Sequence, residues 1–230
     1  YDYTIFCFWD SILNRTEEFV QLVENTEVNL IEWHRQKEVR ENIDAHTPLE
    51  IGFSTFFLNR TNRSGIIDKA GPIGGLTQQG DYPIDCRFNK PRLISQIRRI
   101  ADQRDHIKIY NLEALDFIEK VILKKRKAFI FFDPPYYGKG PGLYTNFYAH
   151  GDHVNLAKAI LNKLKNRKWI VTYDNVNAIK AMYVKAKSVE FELQYTLQTK
   201  RSGCEVLFFA KKIQRPRNER EYINILVERG

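Results

Sequence analysis

Cysteine is scarce in this chain and its spacing offers no pairing. Cys7, Cys86 and Cys204 are odd in number and far apart. That argues against a disulfide-stapled secreted domain and against a zinc cluster; the three read as reduced thiols of a cytosolic protein. No apolar run is long enough to span a bilayer, and no signal peptide precedes the first element, so no membrane role is expected. Internal repeats and low-complexity tracts are also missing, which sets aside solenoid and other repeat architectures. Acid is in short supply: 36 Lys and Arg face 28 Asp and Glu, a formal net charge of +8 with a pI of about 9.3. This balance favours a polyanionic partner. His34 and His46 lack ligand partners nearby and read as surface or satisfied core residues. The first residue is Tyr1 rather than methionine.

What is present is a globular composition, 43% hydrophobic and 28% charged over 230 residues. Residues 3 to 25 carry apolar residues at helical spacing, with a restart near Asn14 and Thr16, and a charged helix runs from Ile31 through Arg40. From Gly52 the texture changes. An aromatic run, Phe53 to Leu58, leads into Asn59, Arg60, Arg63 and Ser64. A loop follows with Gly71, Gly74, Gly75 and Gly80 around the pair Gln78-Gln79, and then Arg87, Asn89, Lys90 and Arg92. Arg, Asn and Gln read base edges bidentately, and Arg and Lys neutralise phosphates. We expect Arg60 and Arg63 at phosphates and the glutamines at bases.

Further on, the pattern predicts a helix at 92–104, a strand at 106–110, a helix at 114–125, a helix at 153–166 capped by Asp152, and strands at 169–172, 191–197 and 205–210. The alternation between 106 and 175 implies a parallel sheet, and the last two strands an antiparallel hairpin. The tail, 213–230, is basic.

One stretch carries the chemistry. Phe129-Ile130-Phe131-Phe132 is a short apolar run that reads as a buried strand, and it is followed by Asp133-Pro134-Pro135-Tyr136. Proline gives no N–H to a ladder, so the sheet stops at Asp133 and leaves the acid at the strand's carboxyl end, where open α/β sheets bind ligands. Asp-Pro-Pro-Tyr resembles the catalytic motif of amino-methyltransferases, which act on the exocyclic amine of a nucleobase. The resemblance implies that Asp133 and the Pro134 carbonyl accept from the two N–H groups of that amine, that Pro134 and Pro135 fix the backbone, and that Tyr136 offers an aromatic face for the base.

On these residues the chain resembles the Dam-like, alpha-group adenine-specific DNA N6-methyltransferases, over about residues 1–212. Phe6–Trp9, Phe57-Leu58-Asn59-Arg60 with Ser64-Gly65, Glu113, Asp133–Tyr136, and Tyr173-Asp174-Asn175 with Glu205 carry the resemblance. It implies a Rossmann-like α/β methyltransferase sheet that uses S-adenosyl-L-methionine, with an inserted helical and hairpin DNA-recognition region. It implies double-stranded DNA as partner, base flipping, a place in restriction–modification and a cytoplasmic, nucleoid-associated location. The expected catalytic residues are Asp133, Pro134, Pro135 and Tyr136, and the expected cofactor contacts are Glu113 and Asp133. The expected DNA contacts are Asn59, Arg60, Arg63, Ser64, Gln78, Gln79, Arg87 and Lys90; no metal is expected. The segments are 1–20, remnant of an N-terminal catalytic part; 21–90, target recognition; 91–212, catalytic; and 213–230, a basic tail. An aspartate at 133 favours adenine over cytosine, for which serine often stands there.

The sequence departs from the family's pattern in one large respect. The Gly-Gly-Lys loop and the glycine-rich first strand, which hold the methionine end of the cofactor, are not in it. Three arrangements account for this: an upstream segment, a second chain, or a non-catalytic DNA-binding remnant.

Overall fold

The computed structural model describes residues 2–138, 148–195 and 201–213. The chain divides into two compact units, Tyr1–Asn111 and Leu112–Gly230.

The first unit is helical: α1 Tyr3–Asn14, α2 Thr16–Asn25, α3 Leu30–Glu41, α4 Pro48–Thr61 and α5 Lys90–Ala101. Local chemistry sets the helix starts. The Asp2 carboxylate accepts from the Thr4 and Ile5 amides, and the Asn29 side chain accepts from the Glu32 amide. At α4 the Thr47 hydroxyl and the Glu50 carboxylate cap each other's backbone amides, with Pro48 in the first turn. The expected restart falls at Arg15, whose backbone (φ −132°, ψ 41°) breaks α1 from α2.

α4 is the central helix of this unit. It is buried around most of its circumference, as expected for a core helix. Phe53, Phe56 and Phe57 meet Phe19 and Phe88, and Phe8 stacks on Phe56 with ring centroids 5.9 Å apart. Each fully buried Phe stabilises by roughly 1.5–3 kcal/mol. Gly52 permits the close approach of α1, because a Cβ there would lie 2.6 Å from the Cys7 carbonyl oxygen. α5 begins two residues before the expected Arg92, with Asn89 accepting from the Arg92 amide. It turns Leu93 and Ile97 into the same helical core.

The second unit contains α6 Ala114–Lys120, β1 Phe129–Phe132, α7 His150–Lys163, β2 Lys168–Asp174, α8 Asn177–Met182, β3 Lys187–Tyr195 and β4 Arg201–Phe209. The sheet order is β1-β2-β4-β3. β1 and β2 are parallel, and β4 is antiparallel to both β2 and β3, so the parallel crossover and the closing hairpin both form. Strand alternation separates the faces. Ile130, Trp169, Val171, Tyr173, Val206 and Phe208 form one core with Ile118, Leu156, Ile160, Leu164 and Tyr183. The register places Phe129, Phe131, Ile170, Thr172, Asp174, Glu205 and Leu207 on the opposite face.

Four expectations are corrected. Phe129–Phe132 forms a strand but not a buried one: only Ile130 is buried, and Phe129 and Phe131 lie exposed on the opposite face. Residues 107–110 form no ladder; their Ile-Lys-Ile-Tyr alternation has the period of a strand, but none of the described residues pairs with them. α6 stops at Lys120, and Ile122–Lys124 tightens into a 3₁₀ turn. Asp152 does not begin α7; it sits inside the first turn, where its carboxylate accepts from the Ala149 amide. The expected loop beyond Gly138, the end of the 191–197 strand and the tail beyond Ile213 lie outside the described residues.

Candidate active site and nucleic-acid interface

The parallel pairing of β1 with β2 runs from Phe129↔Lys168 to Phe132↔Val171, so Asp133 comes level with Thr172. The Thr172 hydroxyl donates to Asp133 Oδ1 at 2.7 Å. A carboxylate has about four lone-pair directions, so acceptor capacity remains for an incoming N–H. The next residues are fastened one by one. The Tyr136 hydroxyl donates to Glu205 Oε1 at 2.5 Å. The amides of Tyr137 and Gly138 donate to the two oxygens of Asp174 at 2.8 and 2.7 Å. A Cβ at Gly138 would approach Asp174 Oδ2 at 3.0 Å, so the tight anchorage suits glycine.

A ring cluster supports the segment after the prolines. Tyr137 packs on His153 with centroids 5.2 Å apart, and its hydroxyl meets His150 Nδ1 at 2.9 Å. The buried His153 shares a hydrogen bond with Tyr173 through Nδ1. Burial pushes the His153 pKa down and the Tyr173 hydroxyl up. Tyr148, edge-on to His153, is pushed up to about 12, first by burial and then by the carboxylates of Glu113 and Asp152. Glu113 stands at the N-cap position of α6 without a side-chain capping hydrogen bond and is exposed.

Sequence reasoning named Asp174 and Glu205 only as parts of late motifs, and it passed over Thr172. The signal was the strand alternation, which puts residues 172 and 174 on the face that carries Asp133.

The DNA-contact candidates lie in the first unit, in two neighbouring groups. Arg60 donates through Nε and Nη2 to the Arg87 carbonyl at 3.0 and 2.9 Å. Its pKa is lowered first by burial and then by the cations of Arg87 and Arg92. Asn59 donates to the Gly65 carbonyl at 3.0 Å, and a Cβ on Gly65 would lie 3.6 Å from an Arg87 guanidinium nitrogen. Asn59, Arg60, Gly65 and Arg87 therefore come together. Ser64 holds a left-handed backbone (φ 55°, ψ 10°), which only a few non-glycine residues adopt.

The second group is the glycine loop. A short antiparallel bridge, Asn62↔Pro72, closes it. Gln78, expected at a base edge, turns into the loop instead. Its amide nitrogen donates to the Ile73 and Gly75 carbonyls at 2.8 and 2.7 Å, and its oxygen accepts from the Ile84 amide at 3.0 Å. Its left-handed backbone (φ 52°), beside Gly74 and Gly75 with φ of 81° and 77°, directs the side chain inward. Lys90 is likewise engaged, donating to the Glu24 carbonyl in the last turn of α2. Arg63 and Gln79 stay exposed, as do Leu76 and Tyr82, which sequence reasoning did not single out.

Among the described residues no cluster of His, Cys, Asp or Glu could hold a metal, and no helix is long and apolar enough to cross a membrane.

The second unit thus holds a mixed sheet with an anchored acid-proline-proline-tyrosine segment after β1, and the first unit carries the arginine- and amide-bearing helices. A model of the D12 class N6 adenine-specific DNA methyltransferases matches residues 1–197, and the chain belongs to that family. Members generally use S-adenosylmethionine, and their substrate is DNA. The chain is also similar to a 2-isopropylmalate synthase of Salmonella arizonae, 36% identical over 81 residues. That stretch is 35% of this chain and spans 14% of the relative, too small a share to carry its activity across.

Proposed function

We propose that this chain holds the target adenine in a site-specific DNA adenine-N6 methyltransferase. The observation that carries the reading is the Asp133 carboxylate, fixed by Thr172 at the carboxyl end of β1 and followed directly by the Pro134 carbonyl. The lone pair of an adenine amino group is delocalised into the ring, which makes the nitrogen a poor nucleophile. With one N–H bonded to Asp133 and the other to the Pro134 carbonyl, the nitrogen is drawn toward tetrahedral geometry and its lone pair is freed. Pro135 keeps the backbone from relaxing away. The base must leave the helix stack to reach this edge, and Tyr136 offers it a new stacking face.

The residues present fit only part of S-adenosylmethionine. Asp133 and Glu113 would face it. The glycines with left-handed backbone, Gly65, Gly74 and Gly75, all lie in the first unit, and the described residues of the second unit offer no glycine cradle. When bound, the cofactor supplies an electrophilic methyl group; this chain supplies the groups that hold and prepare the acceptor amine. The outer edge of β1 supports a further segment, upstream or in a separate chain. Among the described residues β1 is an edge strand, whose unpaired N–H and C=O groups are a template for another strand, and Phe129 and Phe131 are 59% and 57% exposed on the face that carries Asp133. A strand added there would extend the sheet toward a Rossmann-like one; DNA as the substrate is what favours a cytoplasmic, nucleoid-associated location. The missing cradle also favours a second reading, a DNA-binding subunit whose cofactor site lies in trans.

Double-stranded DNA incubated with the enzyme and methyl-labelled S-adenosylmethionine, then digested to nucleosides, tests the first reading. Label in N6-methyladenine is expected. Label in a cytosine, or none under conditions in which the enzyme binds both DNA and cofactor, contradicts it.

A further inference from the structure

We propose that Glu205 is a positioning residue for Tyr136, pinning the ring on which an extruded base would stack. The proposal rests on the reading of Asp133–Tyr136 as the catalytic segment. Its origin is an unfavourable pairing inside the sheet. Asp174 and Glu205 are directly opposite one another in the β2–β4 ladder, and only 8% and 6% of their surfaces are exposed. Like charges opposite each other destabilise a strand pair, and a buried carboxylate is costly unless it is hydrogen-bonded. Strand pairing does not require acids at this place; the next pair in register on the same face is Thr172 and Leu207.

Both acids face outward from the ladder to the same short segment. Asp174 takes the backbone amides of Tyr137 and Gly138, and Glu205 takes the hydroxyl of Tyr136. The division of labour is physical. Asp174 fixes where the chain goes after the prolines, but a tyrosine on a fixed backbone still has two free side-chain torsions. The bond from its hydroxyl to Glu205 restricts both. The ring is then held at one end by Pro134-Pro135 and at the other by a buried carboxylate. A ring so held loses little freedom when a base stacks on it, whereas an unheld ring must be ordered during the reaction.

The test compares wild type, Glu205→Gln, Glu205→Ala, Tyr136→Phe and the double variant Tyr136→Phe/Glu205→Ala in the active enzyme, including any segment it needs. Methyl transfer to duplex DNA gives kcat and KM, and thermal melting monitors the fold. We expect Glu205→Ala to lower kcat on the order of tenfold to a hundredfold with KM for DNA little changed. Glu205→Gln, which can still accept the hydroxyl bond, should recover most of that loss. In the Tyr136→Phe background the further change to alanine should cost nothing more, because the bond through which Glu205 acts is already gone.

Wild-type kcat in Glu205→Ala overturns the proposal, as do losses that multiply in the double variant. If Glu205→Ala does not fold, the decision falls to Tyr136→Phe and Glu205→Gln. A folded Tyr136→Phe enzyme with wild-type kcat overturns the proposal; a lowered kcat there, with Glu205→Gln near wild type, upholds it. A wild-type enzyme that transfers no methyl group overturns the parent reading, an outcome distinct from all of these.

Discussion

Gln78 separates a residue that reads DNA from one that builds the reader. Its side chain makes three hydrogen bonds inside its own loop. At about 0.5–1.5 kcal/mol net each, and toward the low end for a half-buried group, Gln78→Ala should destabilise the loop by roughly 1.5–3 kcal/mol. The backbone supplies an internal control. With φ at 52°, any residue with a Cβ carries a left-handed penalty of about 1–2 kcal/mol. Gln78→Gly loses the same bonds but relieves that penalty, so it should be less destabilising than alanine by about 1 kcal/mol. Gln79 is exposed, and Gln79→Ala should leave stability within about 0.5 kcal/mol of wild type. If Gln79 pairs with an adenine edge, its loss should relax preference by about 1–3 kcal/mol at one position. Arg63→Ala should instead weaken specific and random DNA alike and reduce the salt slope by about one. Urea unfolding, with binding to single-base variants of the site at two salt concentrations, measures all of these. A Gln78→Ala protein of wild-type stability with altered base preference would refute the bracing role.

Gly52→Ala should destabilise the first unit by about 2–3 kcal/mol in urea unfolding, because the new Cβ meets the backbone of Cys7 and α1 must move off α4. Burial keeps His153 neutral below its ordinary value of 6.5, so the unfolded chain takes up a proton before the folded one does. Its contribution to stability is therefore full above about pH 6.5 and is lost as pH falls below that; a melting midpoint that falls on acidification, and falls less in His153→Gln, is expected. Titration calorimetry on this chain alone should detect weak or no binding of S-adenosylmethionine, and binding should appear when a cofactor-holding segment is supplied in cis or in trans. Affinity of about micromolar without it would show that the cradle is already present.

Much of the second unit was legible because its signals are local. Phe129–Phe132 announces a strand by composition, Pro134 and Pro135 end it, and the helix-sized spacing before Trp169 requires a parallel return. In the first unit, Thr47-Pro48 with Glu50 carries the capping chemistry of a helix start, but Phe53–Leu58 was read only as an aromatic run and α4 was not anticipated. What escaped depends on partners distant in sequence. That Asp174 faces Glu205 follows from the β2–β4 register, which no local pattern encodes. Residues 107–110 alternate correctly, but a strand exists only where another strand accepts its hydrogen bonds. Gln78 has the chemistry of a base reader, and only the left-handed turn around it decides that the amide points inward. At α5 the helix start was in plain view, since Asn89 followed by Pro91 is a cap and a first turn, but the arginine-rich surroundings drew the reading toward DNA contact.

The central claim is that Asp133 prepares an adenine amine for methylation. Its most direct test compares Asp133→Ala with wild type in two assays on the same duplex, methyl transfer from labelled S-adenosylmethionine and equilibrium DNA binding. The carboxylate acts on the reacting nitrogen, so transfer should be nearly abolished while affinity for DNA stays close to wild type. Near-normal turnover in Asp133→Ala, or a loss of turnover matched by an equal loss of DNA binding, would contradict the account.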